Sequence, residues 1–201
     1  MTTLAPPKPP VFNLPNQLTA ARFFLALVLF GLITSESWIW SIFIFAVASV
    51  TDWLDGYLAR KQGLTSTLGR NLDPLVDKVL ICGAYIFLLP ASLRNGEGWL
   101  LPWMVTLIVA REMIITSLRS FMENSGATFG ADWLGKIKMV LQCAALFGVF
   151  VAMHLTQIGA AENTRWFFDT VRDGLIWAML ASTALSGLQY LVRAASLLKT
   201  D

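Results

Sequence analysis

Residues 51–78, TDWLDGYLARKQGLTSTLGRNLDPLVDK, join two long apolar runs and set four aspartates, Asp52, Asp55, Asp73 and Asp77, near the ends of those runs. An ionisable side chain at the centre of a bilayer span costs about 2.5–3.5 kcal/mol on insertion scales, so four carboxylates at such depths require compensation. In helical register Asp52, Asp55, Gly56 and Ala59 stand at i, i+3, i+4 and i+7 on one face, and Asp73 and Asp77 share a face of the next helix. The short connection at 61–71 makes these helices neighbours, so the two carboxylate pairs oppose each other. An oxygen-rich site of that charge is neutralised by one or two hard divalent cations such as Mg²⁺ or Mn²⁺. Gly56 and Ala59 leave a notch on the same face. The bland alternative for them is small-residue helix packing; their shared face with Asp52 and Asp55 favours a ligand-binding notch. Arg60 stands beside it, and a cation cluster bounded by an arginine suits a diphosphate.

Outward from this segment the chain is apolar. Of its 201 residues 56% are hydrophobic and 14% charged, with a mean hydropathy of +0.62, against roughly 45–50% and 25% in soluble domains. A span of hydrocarbon needs about 20 apolar residues, and six stretches answer: 18–35, 38–60, 72–91, 98–121, 133–158 and 167–195. The expected architecture is all-α, a polytopic membrane protein of six transmembrane helices with both termini on one side. Residues 1–17 are expected to form a flexible proline-rich cytosolic lead without the pattern of a signal peptide, and 18–201 one six-helix transmembrane domain. Twelve of the 15 Lys and Arg fall towards the face holding the termini, and only Arg94, Arg165 and Arg172 towards the other. The positive-inside rule makes the richer face cytoplasmic.

The net charge of +2 lacks the concentrated basic stripe of a nucleic-acid binder. Cys82 and Cys143 lie in apolar stretches with no metal or disulfide spacing. His154 has no partner histidine and receives no role, and Trp99, Trp103, Trp166 and Trp177 suit an interfacial belt or packing.

A second polar set comprises Arg111, Glu112 and Arg119 on the fourth span and Lys136 and Lys138 at the start of the fifth. Arg111 and Glu112 interrupt the run WLLPWMVTLIVA at 99–110 and are expected to face the bundle interior. Several cations without matching acids form a pocket for a small anion, most simply a phosphate. For either lysine alone, an ordinary cytoplasmic anchor is the competing reading.

Asp52, Asp55, Gly56, Ala59, Arg60, Gly69, Asp73 and Asp77 occupy every fixed position of D-x2-D-G-x2-A-R-x8-G-x3-D-x3-D, and the sequence thereby resembles the CDP-alcohol phosphotransferase family. Outside the motif, PNQLTAAR (15–22), AREMIITSLR (110–119) and LGKIKMVLQ (134–142) look like segments of the phosphatidylglycerophosphate synthases within it, with Met139 standing where a threonine is expected. The resemblance implies a six-helix membrane enzyme, generally a homodimer. It would transfer phosphatidyl from CDP-diacylglycerol to sn-glycerol 3-phosphate, releasing CMP and yielding phosphatidylglycerophosphate for phosphatidylglycerol and cardiolipin synthesis. It implies that Asp52, Asp55, Asp73 and Asp77 hold the metal ions, two per site, with Asp77 on the second ion or acting as general base. The donor would meet Asp52, Asp55, Gly56, Ala59, Arg60 and Gly69, and the acceptor phosphate Arg111, Arg119, Lys136 and Lys138. The expected location is a bacterial-type inner membrane, with the active site facing the cytoplasm. Alternatives are the same chemistry with inositol phosphate, serine or phosphatidylglycerol as acceptor, or a divalent-cation transporter.

Overall fold

A computed structural model of the chain describes residues 14–62, 67–94, 98–124 and 133–197, with side chains for 17–52, 75–94, 98–120 and 133–192. Six helices follow one another: α1 (Leu14–Thr34), α2 (Trp38–Gln62), α3 (Thr67–Leu93), α4 (Pro102–Asn124), α5 (Trp133–Gln157) and α6 (Glu162–Leu197). α1 begins at Leu14, inside the segment assigned to the N-terminal lead, because Pro15 sits in its first turn, where a missing N–H costs nothing. The rest of that lead, 1–13, lies outside the described residues.

The ends of these helices have identifiable causes. α1 closes with Glu36 in the left-handed region (φ 55°), while Ser37 N–H donates to Leu32 O at 2.9 Å and Glu36 N–H to Ile33 O at 3.1 Å. This is a Schellman cap, normally served by glycine. Gly159 (φ 65°) closes α5 in the same way, with Ala160 N–H on Leu155 O at 3.0 Å. Pro102 opens α4, and the loop before it is tied to α3 through Ser92, whose Oγ accepts from Leu100 N–H at 2.6 Å and donates to Leu100 O at 2.9 Å.

α1 packs against α2 and α3, α5 against α6 and α2, and α4 against α6 and α3. The shared core includes Leu29, Trp38, Phe45, Tyr85, Ile108, Leu146, Phe150 and Ile176. Gly83 lets α3 close on α1, since a Cβ there would come within 2.2 Å of Phe30 Cζ, and the Phe30 ring stacks on Phe87 with centroids 4.8 Å apart. Phe45 of α2 meets Phe147 and Phe150 of α5 edge-on, at 5.0 and 5.8 Å. The outward surface carries Phe24, Trp40, Phe43, Met113, Val140, Trp166 and Leu188, all exposed. Such a shell suits lipid, not water.

Among the described residues four stretches are long and apolar enough to cross a membrane: Gln17–Thr34, Leu75–Leu93, Trp133–Gln157 and Glu162–Val192. α2 offers a shorter apolar run, Trp38–Asp52. α4 is interrupted by Arg111, Glu112 and Arg119, of which Glu112 is buried and Arg111 half-buried. Those charges lower its hydropathy, which is why a helix of 23 residues falls outside a purely apolar definition of a span.

Candidate active site

The motif segment runs off the end of α2 and into the start of α3. Asp55, Gly56, Ala59 and Arg60 belong to the helical backbone of α2, and Gly69 and Asp73 to that of α3; their side chains lie outside the described residues. Asp52 and Asp77 are described, and both converge on Arg22 of α1. Arg22 Nη1 stands 2.8 Å from Asp52 Oδ1 and 2.5 Å from Asp77 Oδ1. The arginine side chain is 1% exposed, whereas those of Asp52 and Asp77 are 29% and 32% exposed. A guanidinium is never deprotonated in proteins, so its burial on α1 brings carboxylates from α2 and α3 to a single point. Among the described residues two carboxylates thus meet one fixed cation, a formal excess of one negative charge. That donor set fits a hard divalent ion. In the sequence Arg22 is one of the twelve cytoplasmic-face cations and the last residue of PNQLTAAR, and its signal as a site residue is its place inside LTAARFFLALVLF, where an arginine needs an acid.

The second polar set gathers around Glu112. Lys138 Nζ of α5 is hydrogen-bonded to Glu112 Oε1, Arg111 Nη1 lies 3.2 Å from the same oxygen, and Gln142 Nε2 3.5 Å from it. Lys78 of α3 lies within electrostatic reach of Glu112 and Lys138. The expectation of cations without matching acids is therefore corrected: Glu112 is the acid that allows Lys138 to be buried, because an unpaired ammonium at that depth would be costly. A surplus of positive charge persists, since Arg111 and Lys138 share one carboxylate.

The two lysines of this set are separated. Positions two apart on a helix point about 200° away from each other; Lys138 is buried and Lys136 exposed. Arg111 and Arg119 are brought together by α6. Arg111 Nη2 donates to Ser186 Oγ at 3.0 Å and Arg119 Nη2 to Tyr190 Oη at 2.6 Å. Neither Ser186 nor Tyr190 stood out in the sequence, where STALSGLQYLV (182–192) reads as an ordinary apolar helix with small polar residues.

The far end of the bundle is built differently. Arg172 lies 5.1 Å over the Trp99 ring and is held by Asp169 and Asp173, each at 2.8 Å. A small cavity there is lined by Glu36, Trp38, Arg94, Met153, Thr156 and Gln157, and Glu36 pairs with Arg94 across its mouth. Neither Asp52 nor Asp77, the described motif side chains, lines it. Gln157 Nε2 donates to the Glu36 carbonyl at 3.2 Å beside that pair.

Residues 12–192 match the family model described as CDP-alcohol phosphatidyltransferase. The chain belongs to this family. It is accordingly an enzyme, a membrane transferase of phospholipid biosynthesis. It is 32% identical over 207 residues to a Bacillus subtilis (strain 168) protein named CDP-diacylglycerol--glycerol-3-phosphate 3-phosphatidyltransferase, covering 95% of this chain and all of the relative. An Escherichia coli (strain K12) protein of the same name is 36% identical over 141 residues, covering 67% of this chain and 75% of its own. The Shigella flexneri serotype 5b protein with that name gives the same values, 36% over 141 residues. In this phosphatidyltransferase two of the eight motif residues, Asp52 of α2 and Asp77 of α3, meet at Arg22 of α1.

Proposed function

We propose that this CDP-alcohol phosphatidyltransferase makes phosphatidylglycerophosphate and CMP from CDP-diacylglycerol and sn-glycerol 3-phosphate. The observation that carries the reading is the pair of oppositely charged clusters, an acid-rich one at Arg22, Asp52 and Asp77 and a cation-rich one at Arg111, Lys138 and Arg119, with Cys143 within electrostatic reach of Asp52, Asp77 and Lys138 at once. The names of the relatives supply the two substrates. The first cluster suits a metal-bound diphosphate and the second a phosphorylated acceptor.

In this proposal Asp52, Asp55, Asp73 and Asp77 hold Mg²⁺ or Mn²⁺, two ions per site, which when bound supply charge neutralisation at the diphosphate. Arg60 and the notch at Gly56 and Ala59, with Gly69, take the CDP end of the donor. Arg111, Arg119 and Lys138 grip the acceptor phosphate, and the exposed Lys136 draws it in from the aqueous rim. The acceptor hydroxyl then attacks the phosphorus that bears diacylglycerol, with CMP as leaving group. An alcohol is far more basic than a carboxylate, so Asp77 accepts the proton late, once bonding to phosphorus has begun. Alignment of the two substrates by the clusters supplies the remainder.

Six membrane-spanning helices accommodate this arrangement: the inward-facing charges of α4 and the short apolar run of α2 are compatible with spanning, because the ionic groups pair inside the bundle. With the positive-inside bias, residues 18–201 form a catalytic domain in the cytoplasmic membrane of a bacterial-type cell. The active site and termini face the cytoplasm, and the enzyme is a homodimer. A donor with its acyl chains in the bilayer reaches such a site by lateral diffusion.

The test is incorporation of radiolabelled glycerol 3-phosphate into lipid by purified protein with CDP-diacylglycerol, with and without Mg²⁺ or Mn²⁺, beside inositol phosphate and serine. Metal-dependent labelling with glycerol 3-phosphate alone is the expected result. Labelling with another acceptor would keep the family and overturn the substrate.

A further inference from the structure

We infer that Tyr190 of α6, assisted by Ser186, is a positioning residue that sets Arg119 and Arg111 as a paired grip for the acceptor's phosphate. The inference rests on the proposed reaction and assigns a role to a helix that contributes nothing to the aspartate motif. Tyr190 is 2% exposed and Ser186 is buried. They stand at i and i+4, one above the other on one face of α6, opposite α4. The Tyr190 hydroxyl accepts from Arg119 Nη2 at 2.6 Å, and the guanidinium carbons of Arg119 and Arg111 lie 5.5 and 5.9 Å from the centre of the same ring. Ser186 Oγ accepts from Arg111 Nη2 at 3.0 Å while donating to Thr183 O at 3.1 Å, which orients its lone pair towards the arginine.

Two guanidinium groups sharing one aromatic ring are like charges held close. The ring's negative face and two hydroxyl acceptors offset part of their repulsion. Arg111 Nε is buried and has no acceptor among the described residues, so the described protein groups do not satisfy every donor of the pair. A dianionic phosphate, able to accept from several guanidinium nitrogens at once, is the ligand that completes such a pair. Gly187 lies against the stem of Arg111, its ideal Cβ position 3.4 Å from Arg111 Cγ. The backbone of α6 thus also limits where that side chain can go.

Tyr190→Phe keeps the ring and removes the acceptor, and Tyr190→Leu removes both. In steady-state assays Tyr190→Phe is expected to raise KM for glycerol 3-phosphate about ten-fold, the scale of one hydrogen bond to a charged group. Its kcat and its KM for CDP-diacylglycerol stay within about two-fold. Tyr190→Leu has a larger effect in the same direction, and Ser186→Ala a smaller one. Calorimetric titration of the full-length protein with glycerol 3-phosphate should show the same weakening without turnover. An unchanged KM and affinity in Tyr190→Phe, or an equal rise in KM for both substrates, would overturn the inference while leaving the reaction standing. Wild-type labelling with inositol phosphate alone would overturn the proposed substrate, and the inference then requires the same KM shift for that acceptor. Labelling with serine alone would overturn both.

Discussion

The two polar clusters face the same physical problem, charge inside an apolar bundle, and resolve it with opposite stoichiometry. At the junction of α1, α2 and α3 one buried arginine serves two partly exposed aspartates. Between α4 and α5 one buried glutamate serves Arg111 and Lys138. Among the described residues the first carries a formal surplus of negative charge and the second a surplus of positive charge. The proposed transfer of phosphatidyl from a diphosphate donor to a phosphorylated alcohol, with CMP leaving, would use one of each. The contrast also distinguishes the roles of the shared ions: Arg22 and Glu112 make each cluster foldable, and the surplus groups around them are the ones left for ligands.

The largest effect that would test this contrast is expected from the aspartates. Asp52→Asn or Asp73→Asn should lower turnover by at least about 10²–10³-fold, with helical content by circular dichroism and elution of the purified protein unchanged. EDTA should do the same to the wild type, reversibly on adding Mg²⁺ or Mn²⁺. Wild-type activity in either variant would remove the acid-rich cluster from the chemistry.

Next comes Glu112→Gln, which leaves Lys138 and Arg111 without their shared acid. Breaking a buried pair costs about 3–5 kcal/mol, so thermal unfolding in detergent should fall sharply and metal ions should not restore it. Arg22→Met should also destabilise. Its loss, however, should be smaller in Mg²⁺ than in EDTA, because a divalent ion can neutralise Asp52 and Asp77 where it cannot replace Glu112. Equal metal sensitivity of the two variants would erase the distinction between the clusters.

A finer effect separates the two lysines. Lys138→Ala should raise KM for glycerol 3-phosphate about 10–100-fold, whereas Lys136→Ala, on the exposed face, should change it only a few-fold. The reverse order would mean that the acceptor enters from a different side of α5. Smallest of all, Arg94→Ala removes an exposed pair with Glu36 at the far end. It should alter stability by less than about 1 kcal/mol and leave the labelling assay unchanged, confining function to the end that carries the two clusters.

Much of this was legible in the chain. The apolar stretches at 18–35, 38–60 and 133–158 correspond closely to α1, α2 and α5, because long hydrophobic runs bounded by Ser35-Glu36-Ser37 or Gly159 leave the backbone few alternatives. The inward placement of Glu112 followed from the cost of exposing it to lipid. The helix ends were less legible. α6 begins at Glu162 and not at 167, since the polar first turn carries no hydrophobic signal and needs only backbone hydrogen bonds to form.

By itself the sequence determined the spacing of the aspartate motif, the all-helical class and the family, since these depend on residue type at fixed intervals along one chain. The partnerships depended on tertiary structure: Arg22 with Asp52 and Asp77 across 30 and 55 residues, Lys138 with Glu112 across 26, and Arg119 with Tyr190 across 71. No local pattern encodes them. They arise when helix packing brings distant charged groups into a region with little water, where each must find a partner or be excluded.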